Sequence, residues 1–71
     1  MPRRFEFIGG KSAKFYEVTV AGSDVTARYG RLGTSGQELS KSFADAGKAQ
    51  KHADAQIAQK LGKGYRETTA V

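Results

Sequence analysis

The chain has 71 residues, no cysteine, one histidine, and a net charge of +5 from twelve Lys and Arg against seven Asp and Glu. That length buries only about 60% of its unfolded surface, enough for one small core but too little for a deep cleft with several catalytic layers. The lack of cysteine excludes a disulfide framework, and His52 alone does not make a zinc site, so no metal or other cofactor is expected.

The N-terminal stretch "MPRRFEFIGG" carries two arginines but lacks the apolar run of a signal peptide. No segment approaches the run of about 20 apolar residues that spans a bilayer. The expectation is a soluble, cytoplasmic chain forming one domain over residues 1–71.

From Arg3 to Phe43 the pattern is that of β-structure. In "RFEFI", Phe5 and Phe7 alternate with Arg4 and Glu6 until Gly9 and Gly10 break the run. "KFYEVTV" sets Tyr16, Val18 and Val20 on one face, and Phe15, Glu17 and Thr19 on the other. "AGSD", from Ala21 to Asp24, is a hairpin connection containing glycine. "VTARYGRL" follows as a third strand, "GTSG" turns the chain, and "QELSKSF" runs out with Leu39 and Phe43 sharing a face. Four short strands joined by short turns imply an antiparallel meander.

The period then changes. Ala46, Ala49, Ala53, Ile57 and Leu61 fall at spacings of three and four, which makes one helical stripe. Asp45 suits an N-cap, with Ser42 of "SFAD" as the alternative. Gly62 or Gly64 ends the helix, and Lys60 and Lys63 lie favourably near its C-terminus. The alanine-rich stripe lets the helix approach a sheet closely and predicts burial of Ala49, Ala53, Ile57 and Leu61. The fold class expected is α+β, with one helix of about 17 residues on one face of the sheet. "GYRETTAV" is a short tail in which Tyr65 can pack back onto the sheet.

The seven basic and four acidic residues of the first 43 positions, against five and three in the last 28, show that no basic tail carries the excess. A net positive domain attracts polyanions through its summed field. Catalytic chemistry is missing. No Ser–His–acid set can be assembled, the acids show no metal-ligand spacing, and His52 on the helix flank reads as a partly exposed surface residue. The glycine-rich "RYGRLGTSGQ" is neither a Walker loop nor a dinucleotide fingerprint, because a strand and not a helix follows it. It reads as a hairpin loop whose N–H groups offer at most a weak anion nest.

Arg28, Tyr29 and Arg31 stand out. Guanidinium suits phosphate, and an aromatic face suits a base or sugar. Tyr29 and Arg31 share a strand face and Arg28 takes the other. If Leu32 points at the helix, Tyr29 and Arg31 face away from it, together with Val25 and Ala27 unless Gly30 is bulged. The alternative packs Tyr29 at the sheet edge with its arginines solvated.

"KFYEV" at Lys14 to Val18, "YGRLGTSGQ" at Tyr29 to Gln37, the later Phe43, the "A..KA" helix and "KGY" at Lys63 to Tyr65 resemble the WGR domain family across about Phe5 to Arg66. Gly30 and Arg31 match the Trp-Gly-Arg motif, whereas Tyr29 stands where the family has tryptophan. The resemblance implies an antiparallel sheet with a helix on one face. In poly(ADP-ribose) polymerases such domains engage DNA ends and neighbouring domains, and no polymerase activity carries over to a chain without a catalytic domain.

The residue chemistry and the resemblance together point to a non-catalytic module that binds nucleic acid, with DNA ends or breaks as the target. Tyr29 is expected to stack on a sugar or base, with Arg28, Arg31, Lys14 and Lys41 on phosphates and Gly30 and Gly33 allowing close approach. No membrane and no small-molecule substrate is expected. The rival reading is a protein-interaction module or self-association through the same face, since Tyr and Arg also favour interface hot spots.

Overall fold

The computed structural model describes residues 3–68. Its elements in chain order are β1 (Arg3–Gly9), β2 (Ser12–Ala21), β3 (Asp24–Arg31), β4 (Gln37–Ser42), α1 (Ala46–Gly62) and β5 (Arg66–Glu67). The strands form one antiparallel sheet in the order β4-β3-β2-β1-β5. The four-strand meander is present as expected, and the tail adds a fifth strand that the sequence did not reveal. Two residues are too short to show an alternation, and β5 exists through its pairing with β1, Phe5 opposite Glu67 and Glu6 opposite Arg66. A two-pronged ion pair, Arg3 Nε to Glu67 Oε2 at 2.8 Å and Arg3 Nη2 to Glu67 Oε1 at 2.7 Å, fastens it. Residues 69–71 of the tail lie outside the described residues.

Because β4 and β5 occupy opposite edges, the segment joining them has to cross the sheet, and α1 makes that crossing on one face. Asp45 starts it: its carboxylate accepts the Lys48 N–H at 2.8 Å, and Ser42 instead closes β4. The helix presents Ala49, Ala53 and Ile57 to Phe5, Tyr16, Val18 and Val25 of the sheet, and these seven residues form the core. Alanine at two of the three helix contacts brings the helix backbone close to the strands.

Two leucines are not buried, and of these Leu61 was expected in the core. Leu61 is 49% exposed, since the last turn directs Lys60 and not Leu61 toward the sheet, with the Lys60 Nζ 5.0 Å from the Tyr16 ring centroid. Leu39 is 62% exposed because α1 packs on β2 and β3, leaving β4 beyond its reach. The facing of β3 also differs from the conditional reading. Its register with β2 runs unbroken from Lys14–Arg31 to Ala21–Asp24, without a bulge at Gly30. Val25 is buried beneath α1, so Ala27, Tyr29 and Arg31, two, four and six positions on, share the helix-bearing face.

The other face has its own cover at one end. Phe15 is buried there, 2% exposed, with the Arg4 guanidinium carbon 4.6 Å from its ring centroid. The loop after β3 folds back over it. A Cβ on Gly30 would lie 2.8 Å from the Gly36 Cα, and one on Gly36 would collide with the Tyr29 carbonyl and stand 2.7 Å from Phe15 Cζ. Gly36 also has φ +71°, a conformation that side-chain-bearing residues adopt at a cost.

Ile57→Ala should therefore cost about 2–5 kcal/mol in urea unfolding, by leaving a cavity between helix and sheet. Gly36→Ala should cost about 2–4 kcal/mol through backbone strain and overlap with Phe15. A loss of less than half of either range would mean that the contact in question relaxes freely.

Candidate functional site

The distribution of carboxylates determines where positive charge is left over. Glu6 and Glu17 pair with Arg4 at 3.1 and 3.6 Å, Glu38 with Arg28 at 3.3 Å, and Glu67 with Arg3. Asp45 caps the helix and Asp54 accepts from Gln50 Nε2 at 2.9 Å. Asp24 opens β3 at the opposite end of the strand from Arg31. Nine cations consequently have no ion pair among the described residues: Lys11, Lys14, Arg31, Lys41, Lys48, Lys51, Lys60, Lys63 and Arg66.

Five of them, Lys11, Lys14, Arg31, Lys41 and Lys60, line two adjoining hollows on the helix-bearing face. One, of about 330 Å³, lies beside the C-terminal end of α1 and is lined by Lys11, Lys14, Tyr29, Arg31, Lys60 and Tyr65 among others. The second, of about 310 Å³, runs between α1 and β4, walled by Val25, Ala27, Leu39, Lys41 and His52. Tyr29 and Lys60 line both, so the two hollows adjoin at these side chains and form a trough interrupted there. Among the described residues, no Asp or Glu lines either hollow.

Lys14, Tyr29, Arg31 and Lys41 are thus brought onto one face, in the strip that α1 leaves open. Lys14 and Arg31 are direct cross-strand partners, and Lys41 lies opposite Val25. Gly30 lines the first hollow and backs onto Gly36. Arg28 is separated from this group: it projects from the opposite face, where it pairs with Glu38. Tyr29 is half-buried between Tyr16 and Gln37 on the neighbouring strands, and its hydroxyl donates to Gln37 Oε1 at 3.4 Å.

The sequence reading missed the contribution of Lys60, Tyr65, His52 and Lys11. The signal for Lys60 was its place three residues after Ile57, on the inward side of the helix. Its ammonium sits between two rings, 5.0 Å from the centroid of Tyr16 and 5.4 Å from that of Tyr65. Burial, and then the charges of Lys63 and Lys14, hold its pKa below the usual lysine value. A bound anion would reverse the last two effects. Burial pushes the Tyr16 phenol up, so that ring stays neutral. Tyr65 packs on Phe7 with ring centroids 5.6 Å apart, and His52 lies against Phe43 at 4.9 Å. Among the described residues, no group of three His, Cys, Asp or Glu could hold a metal ion, and no helix is long and apolar enough to cross a membrane.

Comparison with known proteins finds relatives in sequence and in fold. A protein of Bacteroides fragilis, solved by crystallography, superposes with a TM-score of 0.94 at 49% identity over 97% of this chain, which spans 20% of that protein. Protein YehF of Escherichia coli is 42% identical over 65 residues, 92% of this chain and 24% of YehF. The uncharacterized protein YfeS of the same organism is 34% identical over 67 residues, 94% of this chain and 28% of YfeS. The chain therefore spans about a quarter of the length of these curated relatives. The family model described as the WGR domain matches residues 1–71, and the chain belongs to the WGR domain family.

Proposed function

We propose that this chain is a non-catalytic module that binds nucleic acid, DNA at ends or breaks, through the helix-bearing face. WGR domains are in general nucleic-acid-binding modules. The observation that carries the reading here is the convergence of five unpaired cations on a half-buried aromatic, in a trough that no carboxylate of the described residues lines. Lys14, Arg31 and Lys41 supply phosphate contacts, and Lys60 adds a cation already positioned by two rings. Tyr29 supplies a stacking surface, smaller than the indole usual in the family. Arg28 belongs to the other face, held by Glu38, and the proposal does not need it.

A second reading, docking of a protein partner, is favoured by one observation, the exposed Leu39 on an edge strand whose six residues are all exposed. Titration of labelled DNA at low salt decides between them. Complete absence of binding to duplex, nicked and single-stranded DNA would favour the protein partner.

With about three or four phosphates neutralised, the log–log slope of affinity against salt on duplex DNA should lie near −3. Arg31→Ala should weaken binding and bring that slope about one unit closer to zero. Tyr29→Ala should remove a stacking contact of roughly 1–3 kcal/mol, and Tyr29→Trp should hold or improve affinity. Thermal unfolding of each variant separates this loss from damage to the core that Tyr29 borders. Unchanged binding by a folded Tyr29→Ala would remove Tyr29 from the contact.

A further inference from the structure

Resting on the nucleic-acid reading, we infer that the trough between α1 and β4 takes an unpaired strand, its bases against the apolar wall and its phosphates on the cationic rims. The shape and chemistry of the trough carry this. Its floor and sides between the rims are Val25, Ala27 and Leu39, with the rings of Tyr29 and His52. Leu39 is 62% exposed, and α1 rises on the other side of the groove. The cations stand at the two ends: Lys14, Arg31 and Lys60 toward the helix C-terminus, Lys41 toward the β4 side.

A duplex presents phosphates outward on a rounded surface and keeps its base faces stacked inside. Lying on this face, it would reach the cations but leave the apolar wall and both rings unfilled. An unpaired strand has both surfaces to offer, since a flat base can enter a groove and stack while the backbone stays on charged rims. The dimensions agree. Arg31 and Val25, the latter opposite Lys41, are six positions apart on β3, a span of about 20 Å at roughly 3.3 Å per residue. That span suits a short single-strand site of about four nucleotides. A DNA end or break exposes such a strand when its terminal pairs open, so the inference specifies what the site holds there.

The test uses the 71-residue chain with a labelled oligothymidine, a blunt duplex of equal length, and the same duplex carrying a single-stranded overhang. The oligothymidine and the overhang should each bind about 10-fold or more tightly than the blunt duplex at equal salt. Leu39→Glu, which changes an exposed side chain and adds charge to the apolar wall, should weaken oligothymidine binding about 10-fold while the unfolding temperature holds. Blunt duplex bound as tightly as the other two would overturn the single-strand inference and leave the proposed function standing. So would an unaltered oligothymidine affinity in Leu39→Glu. Binding to none of the three would overturn both.

Discussion

One helix cannot cover this sheet. With side chains, an α-helix is about 10–12 Å across, whereas five strands spaced about 4.8 Å apart span roughly 19 Å between their outer axes. The position of α1 is not free, because it has to connect β4 at one edge to β5 at the other. Resting on β2 and β3, it buries the middle of the sheet and leaves a strip along β4 and a hollow beyond its own C-terminus. The trough is a consequence of that mismatch in width. Tyr29 is half-buried for the same reason, since it stands at the margin of the helix's footprint.

The two faces divide the charge. Arg4 holds two glutamates and lies over Phe15, and Arg28 holds a third, so three carboxylates are engaged on the face away from the helix. Exposed pairs of this kind contribute little stability. Their larger effect is to use up carboxylates on one side, which leaves the lysines and Arg31 around the trough uncompensated. Gly30 and Gly36 belong to this division as well. Their contact folds the loop over Phe15, away from the helix-bearing face, and so keeps the Arg31 end of the trough open.

Much of the fold was legible in the sequence because its signals are local. Alternation placed four strands, the spacing of Ala49, Ala53 and Ile57 placed the buried side of the helix, and Asp45 marked its start. β5 was not legible, since a pair of residues becomes a strand only when β1 lies beside it. Leu39 and Leu61 are apolar, yet their exposure depends on where the helix footprint ends, which no periodicity records. At the site, Lys14, Tyr29, Arg31 and Lys41 were picked out by residue type, but their common face required the register of β3 and the burial of Val25. Lys60 reaches the trough from a remote part of the sequence, by packing alone.

Lys60 shows how the site departs from what folding alone would favour. An inward position three residues after Ile57, above Tyr16, is one that an apolar residue would fill without penalty. The ammonium there is partly desolvated, with Lys63 and Lys14 near and no carboxylate partner among the described residues, and its pKa is lowered as a result. The sign follows from linkage: a lysine with a depressed folded pKa opposes folding while it is charged, and that opposition fades as pH rises through its folded value toward the ordinary one. The rings of Tyr16 and Tyr65 offset part of the cost through their quadrupoles, but they do not supply a negative charge. A phosphate in the neighbouring hollow would supply it, turning an unfavourable charge in the free chain into a favourable contact in the complex. Lys60 is thus a cation that a bound phosphate would relieve of part of its cost.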